Sequence, residues 1–465
     1  MAGVQRLVRT HGGISVMTLA AAARVLNGTL RGLDGEFAGV STDTRQIARG
    51  DLFVALVGPR FDGHAFLDQA ADRGAVGALV ARRVEAPLAT VQVDDTRLAL
   101  GQLAACWRRQ FAIPVIAVTG SNGKTTVKNM IAAIMAESGN GLATQGNLNN
   151  DIGVPLTLLR LKAGDRHAVI EMGMNHPGEI DYLTRIAHPT IALINNAAAA
   201  HLAGLGSVEA VARAKGEIYA GLAEDGVAIV NADDAFADLW CGLAAPHRLI
   251  TFGLEQPADV SAEYQLDTVG STIHLTTPQG RITMRLSLLG RHNVMNALAA
   301  SSAALAAGAR LQDIQAGLEK LKSVSGRLEV KRGVNGARVL DDTYNANPGS
   351  LAAGVEVLKS ATGERLLVLG DMGELGEAAA EIHRRVGQLA KSLGIEQLYA
   401  VGELTKEAVQ AFGPGARHFD SHEALIDSLR RRMHGDMTIL VKGSRLMKME
   451  RVVAGIVTDD NGGSA

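Results

Sequence analysis

Val115-Ile-Ala-Val-Thr-Gly-Ser-Asn-Gly-Lys-Thr-Thr126 is the stretch on which the fold turns. A short apolar, β-rich run opens into a glycine turn, and Lys124 and Thr125 then begin a helix expected to continue through Met130. Successive backbone N–H groups of such a turn, with the positive end of the helix behind them, converge on phosphate oxygens. A lysine at this place neutralises β- and γ-phosphate charge, and the threonine hydroxyl can ligate Mg²⁺. Gly120, Ser121, Asn122, Gly123, Lys124, Thr125 and Thr126 are therefore the expected cradle of a nucleoside triphosphate. The longer Gly-x4-Gly-Lys-Thr form is not complete, because Val118 stands at its first glycine position. The compact loop, held between a strand and a helix, carries the reading.

Further buried strands are expected at Ala168-Val-Ile170, Thr190-Ile-Ala-Leu-Ile194 and Val227-Ala-Ile-Val230, each separated by helix-length segments, the pattern of a parallel sheet covered on both faces. Before the loop lie a helix over residues 98–111 and a small α/β unit with a helix at 19–26 and a strand at 51–56. After it, residues 261–289 change to Thr-rich alternation, read as antiparallel hairpins, and 293–307 read as a helix. Beyond Ser325-Gly-Arg327, strands at Val339-Leu340, 366–369, 398–401 and 438–441 form another βα series. The fold class is thus α/β in three domains: a small N-terminal domain at 17–96, a central parallel-sheet ATPase-type domain at 97–326, and a C-terminal Rossmann-like domain at 327–465, with 1–16 a loose extension. A chain of 465 residues has the length for about three domains of usual size.

Composition excludes several classes of function. Lysine plus arginine count 46 against 48 acids, a net charge of -2, and no block of five like charges occurs, so a basic face for nucleic acid is not expected. Apolar residues make up 47%, which suits folded domains. Cys106 and Cys241 stand far apart with no Cys-x-x-Cys, so neither a disulfide scaffold nor a zinc site is expected. No apolar run reaches the roughly 18–20 residues that span a bilayer. The extension carries Arg6 and Arg9 with no acid before Asp34, a slight transit-peptide character, and has no apolar signal region. The chain reads as a cytoplasmic monomer without membrane contact.

A Mg²⁺ on nucleotide phosphates needs one or two carboxylates at a neighbouring strand end, and Glu171, closing the run Ala168-Val-Ile170, qualifies. His201 follows the strand and turn ending at Asn195-Asn196, where a histidine is as often a structural hydrogen-bonder. Lys215, on a helix, reads on its own as a solvated lysine.

Taken together, Thr119-Gly-Ser-Asn-Gly-Lys-Thr-Thr126, Glu171-Met-Gly173, His201 with Lys215, Gly290-Arg-His-Asn-Val-Met-Asn-Ala297, Ser325-Gly-Arg327 and Asp342 resemble the Mur ligase family. Residues 145–155, Asp341-Asp-Thr-Tyr-Asn-Ala-Asn-Pro348, Gly370-Asp-Met-Gly-Glu-Leu-Gly376 and Val441-Lys-Gly-Ser444 resemble the branch of it that joins D-alanyl-D-alanine to UDP-N-acetylmuramoyl-tripeptide. The resemblance covers about 17–458. It implies an ATP-dependent ligase with two Mg²⁺ ions, Lys124 and Thr125 on the phosphates, and Thr125, Glu171, His201 and an N-carbamylated Lys215 around the metals. It implies Asn293 and Asn296 near adenine, Asp342 on the ribose, Tyr344 near the base, and Arg327 reaching the phosphates as the third domain closes. The catalytic set it implies is Lys124, His201, Lys215 and Arg327.

Ser41, Thr44, Arg45 and Phe53 resemble the family's uridine-nucleotide pocket; by pattern alone the turn is equally a surface loop. Asn345 and Asn347 resemble the segment receiving the dipeptide, and by pattern alone they read as an Asn-Pro turn. Two rival readings are a family member that adds a diamino acid or glutamate, and a nucleotide switch that hydrolyses ATP with no amine acceptor.

Overall fold

The computed structural model describes residues 9–10, 13–14, 16–199 and 205–458. The central sheet has six parallel strands in the order Leu142–Ala143, Ala168–Glu171, Val115–Thr119, Ile191–Ile194, Val227–Asn231 and Arg248–Phe252. Side chains alternate across a strand. Val115 and Ala117 accordingly enter one core, while Ile116 and Val118 enter another on the opposite face. Ala192 and Ile194 against Ile191 and Leu193, and Ala228 and Val230 against Val227 and Ile229, divide in the same way. Burial on both faces is why these runs are apolar throughout.

Val115–Thr119 lies between Ala168–Glu171 and Ile191–Ile194, and the chain fills one side of it before crossing to the other. Its C-terminal end is therefore a topological switch point, where open α/β sheets bind ligands. One face carries the helices Lys124–Ala136 and Arg291–Ala306, together with the antiparallel strands Ser261–Asp267, Gly270–Thr277 and Gly280–Leu286. The hairpins expected over 261–289 are these three strands.

The N-terminal sheet runs Thr29–Arg31, Ala89–Gln92, Gly77–Val80, Asp51–Val54 and Gly39–Ser41, parallel except for its first pair. One continuous core passes from Leu19, Leu52, Leu79 and Val91 through Leu100, Leu103 and Trp107 to Ala117 and Ile170. The helix Thr96–Arg108 is the seam of that core, and the indole of Trp107 donates to the Leu161 carbonyl at 3.2 Å. Of the expected extension 1–16, the pairs Arg9–Thr10 and Gly13–Ile14 form a short antiparallel ladder and Val16 is buried; the rest lies outside the described residues.

The C-terminal sheet runs Glu329–Arg332, Arg338–Asp342, Met437–Lys442, Glu364–Gly370, Gln397–Val401 and Ala416–Phe419, antiparallel only at its first pair. Its two faces fill separate cores, Leu367, Leu369 and Leu440 on one side and Leu366, Val368 and Ile439 on the other. The last strand of the central sheet, Arg248–Phe252, and the outer strands Glu329–Arg332 and Ala416–Phe419 of the C-terminal sheet are additions to the strands expected from sequence. All three lie at sheet edges, where no second strand of the sheet lies on the outer flank and the residues are partly polar. Among the described residues no helix is long and apolar enough to cross a membrane.

Candidate functional site

The phosphate loop is built by the backbone and locked by asparagines. Gly123 takes a left-handed conformation, φ 79°, immediately before the helix Lys124–Ala136. A side chain there would also collide, since a Cβ would stand 2.5 Å from Asn296 Oδ1 and 2.6 Å from Asn195 Nδ2. Those two amides are hydrogen-bonded to one another at 2.9 Å, and Asn195 Nδ2 also donates to the Asn122 carbonyl at 3.0 Å. Asn196 accepts from the Asn122 backbone N–H at 2.9 Å and donates to the Asn122 carbonyl at 3.1 Å. Asn293 completes the chain by accepting from Asn296 Nδ2 at 3.0 Å. The loop thus holds its shape through bonds that occupy the Asn122 N–H, and the Ser121 N–H donates to the Asn196 carbonyl at 2.9 Å, so an anion would be met by the N–H groups at the head of the helix.

Lys124, Arg327 and Glu171 set the charge around it. Lys124 Nζ donates to the Gly120 carbonyl at 2.6 Å. Burial holds its pKa below the usual lysine value and Arg327 adds to that effect, while Glu171 opposes it. Glu171 ends its strand beside Val118 and is 2% exposed. Asn149 Nδ2 donates to Glu171 Oε1 at 2.9 Å, whereas Oε2 is buried with no hydrogen-bond partner. A buried carboxylate oxygen without a donor is costly unless a cation meets it, so the residue fits a Mg²⁺ ligand. Among the described residues no group of three or more His, Cys, Asp and Glu side chains gathers as a metal site. One carboxylate and a threonine hydroxyl, with phosphates supplying further oxygens, is the arrangement Mg²⁺ commonly takes.

Lys215 sits on the helix Val208–Gly216, only 1% exposed, with no hydrogen-bond partner for its amine among the described residues. Burial, with Lys124 adding repulsion, holds its pKa well below the lysine range. The solvated lysine suggested by the local sequence is thus not what the helix presents, because its side chain turns into the core. His201 lies outside the described residues.

The third domain reaches across the cleft at two points. Arg327 Nη2 donates to Thr125 Oγ1 at 3.1 Å, and its guanidinium lies 4.2 Å from the centre of the Tyr344 ring. Asn347 Nδ2 donates to Asn122 Oδ1 at 2.7 Å, while its Oδ1 caps the helix Pro348–Lys359 by accepting from the Ser350 N–H at 2.8 Å. Asn345 Oδ1 accepts from the Ala346 N–H at 2.9 Å. Asp342 is bound by the buried Lys442, at 2.5 Å, which also donates to the Asn345 carbonyl at 3.0 Å. Burial raises the Asp342 pKa; Lys442 and Arg327 pull it back. His292, at the cleft wall, is held down to about 4 by burial and by the charge of Lys442.

These residues enclose a cleft of about 1330 Å³, lined by Ser121, Asn122, Gly123, Lys124, Thr125, Thr126, Glu171, Asn293, Asn296, Arg327, Asp342, Tyr344, Asn345 and Asn347. Its size exceeds the few hundred to 1,000 Å³ or so of an ordinary small-molecule pocket, which leaves room for more than one substrate. Ser41, Thr44, Arg45 and Phe53 are not on its walls. Ser41 Oγ donates to the Asp43 carbonyl at 2.9 Å, Thr44 bonds to Gln69, and the exposed Arg45 pairs with Asp43 at 2.7 Å. The Phe53 ring is buried with Ile47 and Leu67 in a small core of the first domain.

Sequence reasoning missed the structural parts played by Asn149, Asn195, Asn196, His292 and Lys442. Asn195 and Asn196 could have been found, since they follow an apolar strand at its ligand-binding end. Lys442 bonds across 100 residues, and nothing local in the sequence announces that contact.

The chain matches models of the Mur ligase family, catalytic domain over residues 36–108, the Mur ligase middle domain over 118–304, and the Mur ligase, glutamate ligase domain over 326–445. It is 46% identical to the UDP-N-acetylmuramoyl-tripeptide–D-alanyl-D-alanine ligase of Escherichia coli strain K12, over 94% of this chain and 97% of that protein. A crystal structure of MurF from Acinetobacter baumannii superposes with TM-score 0.90 at 39% identity, covering 94% of this chain and 98% of that one. MurF ligase from Thermotoga maritima in complex with ADP superposes with TM-score 0.79 at 27% identity, covering 90% and 96%.

Proposed function

The chain belongs to the Mur ligase family, whose members are ATP-dependent, and from that we propose that it joins D-alanyl-D-alanine to UDP-N-acetylmuramoyl-tripeptide in peptidoglycan precursor synthesis. The observation that carries this reading is the pair of bonds between the third domain and the phosphate loop, Arg327 to Thr125 and Asn347 to Asn122. They bring the expected dipeptide segment and the expected phosphate cradle to one cleft. An amide ligase needs that convergence.

A carboxylate and an amine do not condense at neutral pH, because the carboxylate oxygen is a poor leaving group. The terminal carboxylate of the tripeptide therefore takes the γ-phosphoryl group of ATP, giving an acyl phosphate and ADP, and the dipeptide amine then displaces phosphate. Two anions must approach in the first step. Lys124 and Arg327 supply fixed positive charge where they meet, in a site from which closure of the third domain excludes water. Thr125 and Glu171 would hold Mg²⁺, which neutralises phosphate charge and orients the oxygens.

Lys215 is the second anionic ligand in this reading. A lysine whose pKa burial holds down reacts with CO₂ through its free amine: the nitrogen bonds to the carbon, a proton leaves, and a carbamate anion takes the place of the amine. With His201 it would complete the set for a second Mg²⁺. Asn293 and Asn296 are proposed for the adenine side, Asp342 for the ribose and Tyr344 for the base. Asn345 and Asn347 would take the dipeptide, and Ser41, Thr44 and Arg45 the uridine diphosphate, with Phe53 supporting that turn from the core. The domain limits proposed are 17–96, 97–326 and 327–465, a division supported by one five- or six-stranded sheet in each part. With ATP as co-substrate the reaction belongs in the cytoplasm, and we take the enzyme to act as a monomer.

The test measures ADP formation with both acceptor substrates present and with each omitted. Dependence on the UDP-linked tripeptide and on D-alanyl-D-alanine, with the amide product found by mass spectrometry, is expected. ADP release independent of both substrates would replace the ligase with a nucleotide hydrolase.

A further inference from the structure

Lys128 is a second buried lysine beside the phosphate loop, one helical turn beyond Lys124. It is 4% exposed and does not line the cleft. Its ammonium donates to the Thr144 carbonyl at 2.7 Å. A charge set in the core against a neutral carbonyl is expensive, and methionine would fill nearly the same volume without that penalty. Packing alone does not account for a lysine here.

What the bond fixes lies on the far side of Thr144. Thr144, itself buried, accepts the backbone N–H of Glu171 on its hydroxyl at 2.9 Å and donates its own N–H to the Val169 carbonyl at 3.0 Å. Five residues on, Asn149 donates to Glu171 Oε1 at 2.9 Å and accepts the Gly173 N–H on its carbonyl at 2.8 Å. Residues 144–149 thus grip Glu171 by backbone and by side chain, and Glu171 Oε2 is left without a partner. The same helix that presents Thr125 at its first turn anchors this grip through Lys128.

We propose that Lys128 is a positioning residue: by tying Thr144 to the phosphate-loop helix it fixes the carboxylate of Glu171 relative to the Thr125 hydroxyl, and so sets the metal affinity of the site. The inference rests on the reading of Glu171 as a Mg²⁺ ligand. It predicts that an outer residue with no contact to nucleotide controls metal binding, as groups that orient ligands do in metal sites.

The experiment titrates Mn²⁺, followed by electron paramagnetic resonance, into the full chain with a non-hydrolysable ATP analogue, alongside steady-state kinetics at varied Mg²⁺. Lys128→Met is expected to weaken Mn²⁺ binding and raise half-saturating Mg²⁺ about tenfold, with KM for the UDP-linked tripeptide and Tm unchanged. Lys128→Arg is expected to recover part of the loss. In an Asn149→Ala background the same change should matter far less, because the segment through which it acts has already lost its hold on Glu171. Wild-type Mn²⁺ affinity in Lys128→Met, with Glu171→Gln impaired, overturns the inference alone. Unimpaired Mn²⁺ binding by Glu171→Gln overturns the ligand reading and the inference with it. A loss that merely follows a fall in Tm and is additive with Asn149→Ala also overturns it. Should Lys128→Met not fold, Thr144→Val, which removes the acceptor of the Glu171 amide, must give the metal defect, and wild-type metal binding in that variant overturns the inference equally.

Discussion

Gly123 holds a left-handed backbone at the head of the phosphate-loop helix, so Gly123→Ala sets two separate costs against the loop. A residue with a Cβ in that conformation loses roughly 1–2 kcal/mol. The new methyl would also part the 2.9 Å bond between Asn195 and Asn296, whose atoms lie 2.6 and 2.5 Å from its position. Neither amide is free to swing away, since Asn195 holds Asn122 and Asn296 is held by Asn293. Stranding a buried donor and acceptor costs roughly 1–3 kcal/mol. Together about 2–5 kcal/mol opposes the loop shape that phosphate requires, which at tenfold per 1.4 kcal/mol is a loss of roughly 30- to 3,000-fold in nucleotide affinity. Calorimetric titration with a non-hydrolysable ATP analogue and Mg²⁺ measures it. Gly394→Ala is the control: φ is 77° and no atom lies within 4 Å of its Cβ position, so only the conformational cost applies, far from the cleft. If Gly123→Ala binds nucleotide as tightly as Gly394→Ala, the asparagine lock is not what shapes the loop.

Lys215→Ala should abolish amide formation, and short carboxylic acids should restore part of it; an Ala variant with full activity would exclude the carbamate. Arg327→Lys loses both the fork that reaches Thr125 and the flat face on Tyr344, so kcat/KM should fall about 10- to 100-fold, or roughly 1.4–2.8 kcal/mol, while affinity for the UDP-linked tripeptide holds; unchanged kcat/KM would remove Arg327 from the reaction. His292 has a folded pKa of about 4 against an ordinary 6.5. The folded state therefore binds fewer protons than the unfolded one across that window, and stability is lost as pH falls from about 6.5 towards 4. His292 is only partly exposed on the cleft wall, and the loss should amount to about 3 kcal/mol at most; denaturant midpoints of His292→Asn that fall with acid as steeply as wild type would show that His292 does not cause it.

The sheets were legible wherever strands are buried on both faces. Val115–Thr119 and Met437–Lys442 are apolar or neutral at nearly every position because each face must enter a core. Edge strands escaped notice for the converse reason: Glu329–Arg332 has three charged residues and one valine and pairs with a strand on one flank only, so nothing in its composition demands a sheet. The phosphate loop announced itself because its chemistry is local, all within residues 120–126. The lock behind it did not, since Asn122, Asn195 and Asn296 come from three separate stretches and look individually like turn formers or helix interruptions. Lys215 and Lys128 show the same limit in another form, because a lysine's burial depends on which way its helix is turned.

The seam along Thr96–Arg108 makes the first two sheets one mechanical piece, while the last sheet keeps its own interior. Any swing of the third domain would leave the separation between the turn at Ser41 and the loop at Gly120 untouched. If the Ser41 turn anchors the nucleotide-linked acid as proposed, that fixed span would act as a gauge: the acid would present its carboxylate at the loop only when its peptide stem has the right reach.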